Sequence, residues 1–150
     1  MPEPSEVEKI VEQWEQDAKI DPIDIKGASL STPLLHAKYI RLLAIWKSRK
    51  TQLRVKLNEQ RQLKTDYYNG RLSLEQCKVL GLHQYQGNRP LKSELEALLS
   101  SDPDVNKVLI QTEAVETIVD VLEAILTQIK ARDFEISNYI KMKIFEEGGN

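Results

Sequence analysis

Residues 101–145 read SDPDVNKVLIQTEAVETIVDVLEAILTQIKARDFEISNYIKMKIF, and after Pro103 they contain neither glycine nor proline. Val108, Val115, Leu122, Ile129 and Ile136 return every seven residues, with Ile118, Val119, Ile125, Leu126, Tyr139 and Ile140 beside them. An apolar set filling about three positions in seven is too broad for a two-stranded seam and fits a helix packed in a bundle. Ser101-Asp102-Pro103 provides the start: a short polar side chain caps the first free N–H groups, and proline has none to satisfy. The pattern predicts one helix over 103–145, roughly 63 Å long at about 1.5 Å per residue.

A face this wide needs a partner of similar length. From Pro33 to Tyr68 the chain again meets no glycine and no further proline, which predicts a second long helix over 33–69. Its first half is apolar on a broad side (Leu35, Tyr39, Leu42, Leu43, Trp46, Leu53), and its second half thins to Leu57 and Leu63 among basic and glutamine residues. Asn69-Gly70 closes it, since both residues tolerate the left-handed conformation of a helix stop. Ser5 with Glu8 forms a capping box for a short acidic helix over 5–19. Asp21, Pro22 and Gly27 make 20–32 an extended connector able to dock Ile23 and Ile25 on a neighbour. Residues 70–102 hold short helices and a loop. The fold expected for 1–150 is a single all-α domain in which two long helices form an antiparallel hairpin. Two rods of that length leave apolar surface over, so self-association is expected.

The composition of the 150 residues is ordinary for a folded chain, 41% apolar and 29% charged. The apolar runs are too short to span a membrane, and the acidic first residues do not resemble a signal peptide. Cys77 is the single cysteine, which rules out an internal disulfide and a cysteine-based zinc cluster; His36 and His83 are the only histidines. Neither a glycine-rich phosphate loop, nor a helical histidine pair, nor a serine elbow occurs. His36 reads as a half-buried surface residue and Cys77 as packing. Glu113, Glu116, Asp120 and Glu123 share one side of the last helix, where a solvated stripe is the ordinary outcome. Nothing nominates an enzyme, a metal or a cofactor.

Charge is distributed unevenly. Residues 1–37 hold eight acids against three bases, 38–71 ten bases against Glu59 and Asp66, and 72–150 thirteen acids against eight bases. The basic segment suits a polyanion or an acidic protein surface, or is a solvated face balanced by acidic neighbours. Its candidate contacts are Lys47, Arg49, Lys50, Arg54, Lys56, Arg61, Lys64, Tyr68 and Arg71. Arg61, Lys64 and Tyr68 share one face by spacing, and cations beside an aromatic ring are what single-strand binding requires; the ordinary alternative, which composition alone favours, is that the tyrosines pack under the turn and the cations are solvated. Tyr68 is expected to stack on a base and Tyr67, about 100° around the helix, to pack under the turn.

The blocks Lys64-Thr-Asp-Tyr-Tyr-Asn-Gly-Arg71, Leu98-Leu-Ser-Ser-Asp-Pro-Asp-Val-Asn-Lys107, Ile129-Lys-Ala-Arg-Asp-Phe134 and Phe145-Glu-Glu-Gly148 resemble the UvsY-type recombination mediators of T-even-like tailed phages. Their order and spacing agree, as does the chain length, so the resemblance spans nearly the whole chain. It implies a non-enzymatic factor of homologous recombination and repair that forms a ring-like homo-oligomer of six or seven subunits. Such a factor binds single-stranded DNA and helps the phage strand-exchange recombinase replace the phage single-strand-binding protein, in the cytoplasm of the infected bacterium. The family carries cations four and two residues before the Asp of the Asp-Tyr-Tyr block; here these are Gln62 and Lys64, with Arg61 the neighbouring candidate to stand in for the missing one. The family's C-terminal helix drives assembly. With the apolar surplus of the last helix, this nominates Ile129, Phe134, Ile136, Tyr139, Ile140 and Ile144 for oligomerisation. The rival reading is a structural coiled-coil scaffold protein without DNA binding.

Overall fold

A computed structural model describes residues 5–148, which form α1 (Glu6–Asp17), α2 (Ile25–Tyr68), α3 (Leu74–Val79), α4 (Lys92–Ser101) and α5 (Pro103–Glu146), with no strand among them. Two compact units are distinguishable, one built from residues up to Ser48 and from Glu116 onward, the other from Arg49–Val115. Both long helices contribute to each unit.

The first unit packs α1 on α2 and α5. Ile10, Tyr39, Ile118, Leu122, Ile125, Leu126 and Ile129 form its core, with Val7, Trp14, Leu35, Leu42 and Trp46 packed against them. Here α2 and α5 run antiparallel: Ile25 and Lys26 lie in the groove lined by Ile136 and Ile140, and Lys47 pairs with Glu123 at 3.4 Å. Ser5 closes the expected capping box with Glu8 at the start of α1. The last turn of α1 carries no basic residue, and a buried cation from α5 takes that place: Arg132 donates to the Ala18 carbonyl at 3.2 Å. Positive charge is favourable at a helix C-terminus.

One sequence expectation is corrected in this unit. The connector over 20–32 is short, because α2 begins at Ile25 and continues through Pro33. Asp24 is the cause. Its Oδ1 accepts the Gly27 N–H at 3.0 Å, and its carbonyl accepts the Ala28 N–H, so the cap lies upstream of the proline. Ser31 and Thr32 donate their hydroxyls to the Ala28 carbonyl beside the ladder bond that Pro33 cannot make.

The second unit is built on Cys77, Leu99, Val105, Val108 and Val115. Asn69-Gly70 ends α2 as the sequence indicates. Gly70 takes φ +71°, its N–H donates to the Tyr67 carbonyl, and the Arg71 N–H donates to that of Asp66, the paired bonds of a Schellman stop. Gly81 repeats the device after α3, with φ +70°.

Candidate nucleic-acid interface

The basic stretch of α2 in the second unit has two rows of cations. Lys50, Arg54 and Arg61 follow four- and seven-residue steps, and Arg49 and Lys56 are seven apart on the other side. Between the rows, Leu53, Leu57 and Lys64 turn inward. Arg49, Arg54 and Lys56 are exposed and Lys50 is half-buried. Lys50, Arg54 and Lys56 have no ion-pair partner among the described residues, whereas Arg61 meets Glu96 at 3.1 Å and Arg71 meets Asp66 at 3.5 Å. Lys47 belongs to the first unit and is held by Glu123.

Lys64 departs from expectation. It is 4% exposed, with its Nζ 2.7 Å from Asp104 and 3.3 Å from Asp102. The face that spacing assigns to Arg61, Lys64 and Tyr68 is real, but its centre points into the unit rather than toward solvent. Burial opposes the charge on Lys64, yet the bonds and fields of Asp104 and Asp102 prevail and hold its pKa above the ordinary lysine value. Asp102 is almost fully buried. Its Oδ1 accepts the N–H groups of Asp104 and Val105 at 2.9 and 3.1 Å, capping α5, while its Oδ2 accepts the Tyr68 hydroxyl at 2.7 Å. Burial raises the Asp102 carboxyl, but the bonds from Tyr68, Val105 and Lys64 outweigh it and leave the pKa below the ordinary aspartate value. The Tyr68 phenol is pushed up by burial and by Asp102.

The tyrosines are not divided into one that is free and one that packs. Tyr67 donates its hydroxyl to the His83 carbonyl at 2.6 Å. Its ring lies 5.1 Å from Tyr68 and 5.7 Å from Tyr85, and Tyr68 lies 5.2 Å from Tyr85. Tyr85 is a member that sequence reading missed; the available signal was an isolated aromatic in the polar run His83–Arg89. Tyr68 is thus bonded at its hydroxyl to Asp102 and packed at its ring against Tyr67 and Tyr85, and it is half-buried.

The residues expected in assembly also separate. Ile129 and Ile136 are 1% and 4% exposed, buried within the first unit by its own helices. Tyr139 is half-buried. Phe134, Ile140 and Ile144 remain exposed, as do Met142 and Phe145 on the same helix and Leu30 and Leu34 on α2. The stripe Glu113, Glu116, Asp120 and Glu123 is exposed. Among the described residues no cluster of His, Cys, Asp and Glu is arranged to hold a metal ion, and no helix is long and apolar enough to cross a membrane.

Residues 13–149 match the family described as recombination, repair and ssDNA binding protein UvsY. The recombination protein uvsY of Enterobacteria phage T4 is 28% identical over 144 residues, which is 95% of this chain and 98% of the phage protein. Two crystal structures of the bacteriophage T4 recombination mediator protein UvsY, in lattice types II and IV, are similar in fold, with TM-scores of 0.82 and 0.80 at 24% and 22% identity. They cover 96% and 94% of this chain, and 99% of each phage chain is covered in return.

Proposed function

Because the chain belongs to the UvsY family of recombination, repair and ssDNA-binding proteins, we propose that it is a recombination mediator. It binds single-stranded DNA without reading bases and promotes loading of the strand-exchange recombinase onto DNA covered by single-strand-binding protein. It works as a non-enzymatic homo-oligomer, a ring of six or seven subunits, in the cytoplasm of the infected host. The observation that carries the reading is the pair of cation rows on α2. Arg49, Lys50, Arg54 and Lys56 crown a unit holding eleven bases against eight acids, whereas the first unit holds ten against fifteen. Positive potential is therefore concentrated where no deep pocket or groove-reading element is needed. Each subunit offers a modest phosphate site, and symmetry multiplies it: a second contact on the same strand is effectively intramolecular. Exposed Phe134, Ile140 and Ile144 supply apolar surface for a second copy.

Binding of labelled oligonucleotides across a salt series, with mass by light scattering, tests this. Single strands are expected to bind more tightly than duplex, with log affinity falling by about 0.7 per neutralised phosphate for each tenfold rise in salt. The mass should be that of several subunits. Addition of the protein should shorten the lag of recombinase filament formation on strands coated with single-strand-binding protein. A scaffold protein would leave the oligonucleotides free at physiological salt.

A further inference from the structure

We infer that Lys64 is a positioning residue and not a phosphate ligand: with Tyr68, Asp102 and Asp104 it forms a buried latch that fixes the last turn of α2 and the segment beyond it. The role in DNA binding rests on the single-strand reading above; the latch itself rests on geometry. An ammonium has three protons to donate. That of Lys64 lies between Asp104 at 2.7 Å and Asp102 at 3.3 Å, and it stands over the Tyr67 ring, 5.5 Å from the centroid. At 4% exposure it has no open side for a phosphate oxygen. A strand seeking this cation would first have to displace Asp104 and would then leave Asp102 buried without its counter-charge, which is strongly unfavourable.

The cluster joins parts distant in sequence. Asp102 ends α4, caps α5 through its Oδ1, and through its Oδ2 receives both Tyr68 and the field of Lys64 from α2. Tyr68 in turn packs on Tyr67 and Tyr85, and Tyr67 bonds the His83 carbonyl. Gly87 lies so close to the Tyr85 ring that any side chain there would collide with it. The segment after α2 therefore hangs on the latch, and it bears the exposed cations Arg71 and Arg89. Holding those cations in place before binding lowers the ordering cost of engaging a strand.

Charge and position make opposite predictions for Asp102. Removing a carboxylate near a phosphate site should tighten binding if only charge matters; removing a latch partner should weaken it. The test measures oligo-dT binding across a salt series and thermal melting for the full chain carrying Lys64→Met, Asp102→Asn or both, beside the control pair Arg54→Ala with Lys56→Ala. Each latch variant is expected to melt several degrees lower and to bind oligo-dT several-fold more weakly at every salt concentration, with the slope unchanged. The double variant should lose less than the sum of the singles, because they share one interaction. The control should keep its melting temperature and lose about 1.4 from the slope, two phosphates' worth. A Lys64→Met protein with wild-type melting and a slope smaller by about 0.7 would overturn the inference, as would tighter binding by Asp102→Asn. If Lys64→Met does not fold, Tyr68→Phe removes a single hydroxyl: weaker binding at constant slope supports the latch, and wild-type melting with wild-type affinity overturns it. If the unaltered protein does not bind oligo-dT, the single-strand reading falls, and the latch is then decided by the melting temperatures alone.

Discussion

Two aspartates play matching parts at the scale of single residues. Asp17 accepts from Lys38 at 2.6 Å and from the fully buried Tyr39 at 2.8 Å, and Asp102 is bonded by Tyr68 and paired with Lys64. Burial pushes both carboxyls up, but the donated bonds win, and both titrate below the ordinary aspartate value. The folded protein thus takes up these protons at lower pH than the unfolded chain. The stabilisation is complete above about pH 4, the ordinary aspartate range, and is lost as pH falls through it toward the folded values. Lys64 and the phenols of Tyr39 and Tyr68 are shifted up instead, so their contribution is complete below about pH 10 and is lost above it. Melting temperature against pH is expected to show a plateau with a shoulder on each side, and Asp102→Asn should flatten the acidic one. An unchanged acidic shoulder in that variant would show that the pair contributes nothing. Spacing in the sequence placed Arg61, Lys64 and Tyr68 on one face but left open which way the face points. Leu57, seven residues before Lys64, marks the inward strip, and a lysine on such a strip is a sign of a buried partner; that partner, Asp102, read from the sequence only as a helix cap.

At the scale of elements, α5 was legible from its heptads. Val108, Val115, Leu122, Ile129 and Ile136 are all buried, because a seven-residue repeat keeps returning to the same side of a helix. The start of α2 was not legible, since a proline at position 33 looks like a first turn and the true cap, Asp24, lies behind a glycine. The surplus apolar surface of α5 was also only partly legible. Periodicity finds an apolar face but cannot tell where the covering helix ends, so it does not separate Ile129 and Ile136 from residues that stay exposed. Replacing Ile140 and Ile144, 41% and 48% exposed, by glutamate should therefore leave the far-ultraviolet spectrum and melting of the subunit nearly unchanged while reducing the mass seen by light scattering. Ile136→Glu should instead destabilise the subunit by several kcal/mol, the cost of a charge in a dry site. Full assembly of the Ile140→Glu, Ile144→Glu protein would move the contact between copies to another surface, of which Leu30 and Leu34 on α2 are the nearest in character.

At the scale of the whole molecule the charge pattern of the sequence foreshadows an acidic unit and a basic one; the sequence boundary at residue 38 and the structural one at Ser48 differ because charge follows composition and units follow packing. The helices ignore both boundaries. α2 and α5 pass from one unit to the other without a break, and a helix is costly to nucleate but easily propagated. The amino-acid inventory happens to give each unit its own optical or chemical reporter. Trp14 and Trp46, the only tryptophans, lie in the first unit, and the sole thiol, Cys77, lies 1% exposed in the second. In a urea titration at fixed protein concentration, the red shift of indole emission and the onset of Cys77 alkylation should coincide, as two views of one cooperative transition. Alkylation beginning while the indoles still emit at their native wavelength would identify Arg49–Val115 as a part that opens independently, and would mean that the cations of α2 visit a second, looser arrangement within the lifetime of the folded subunit.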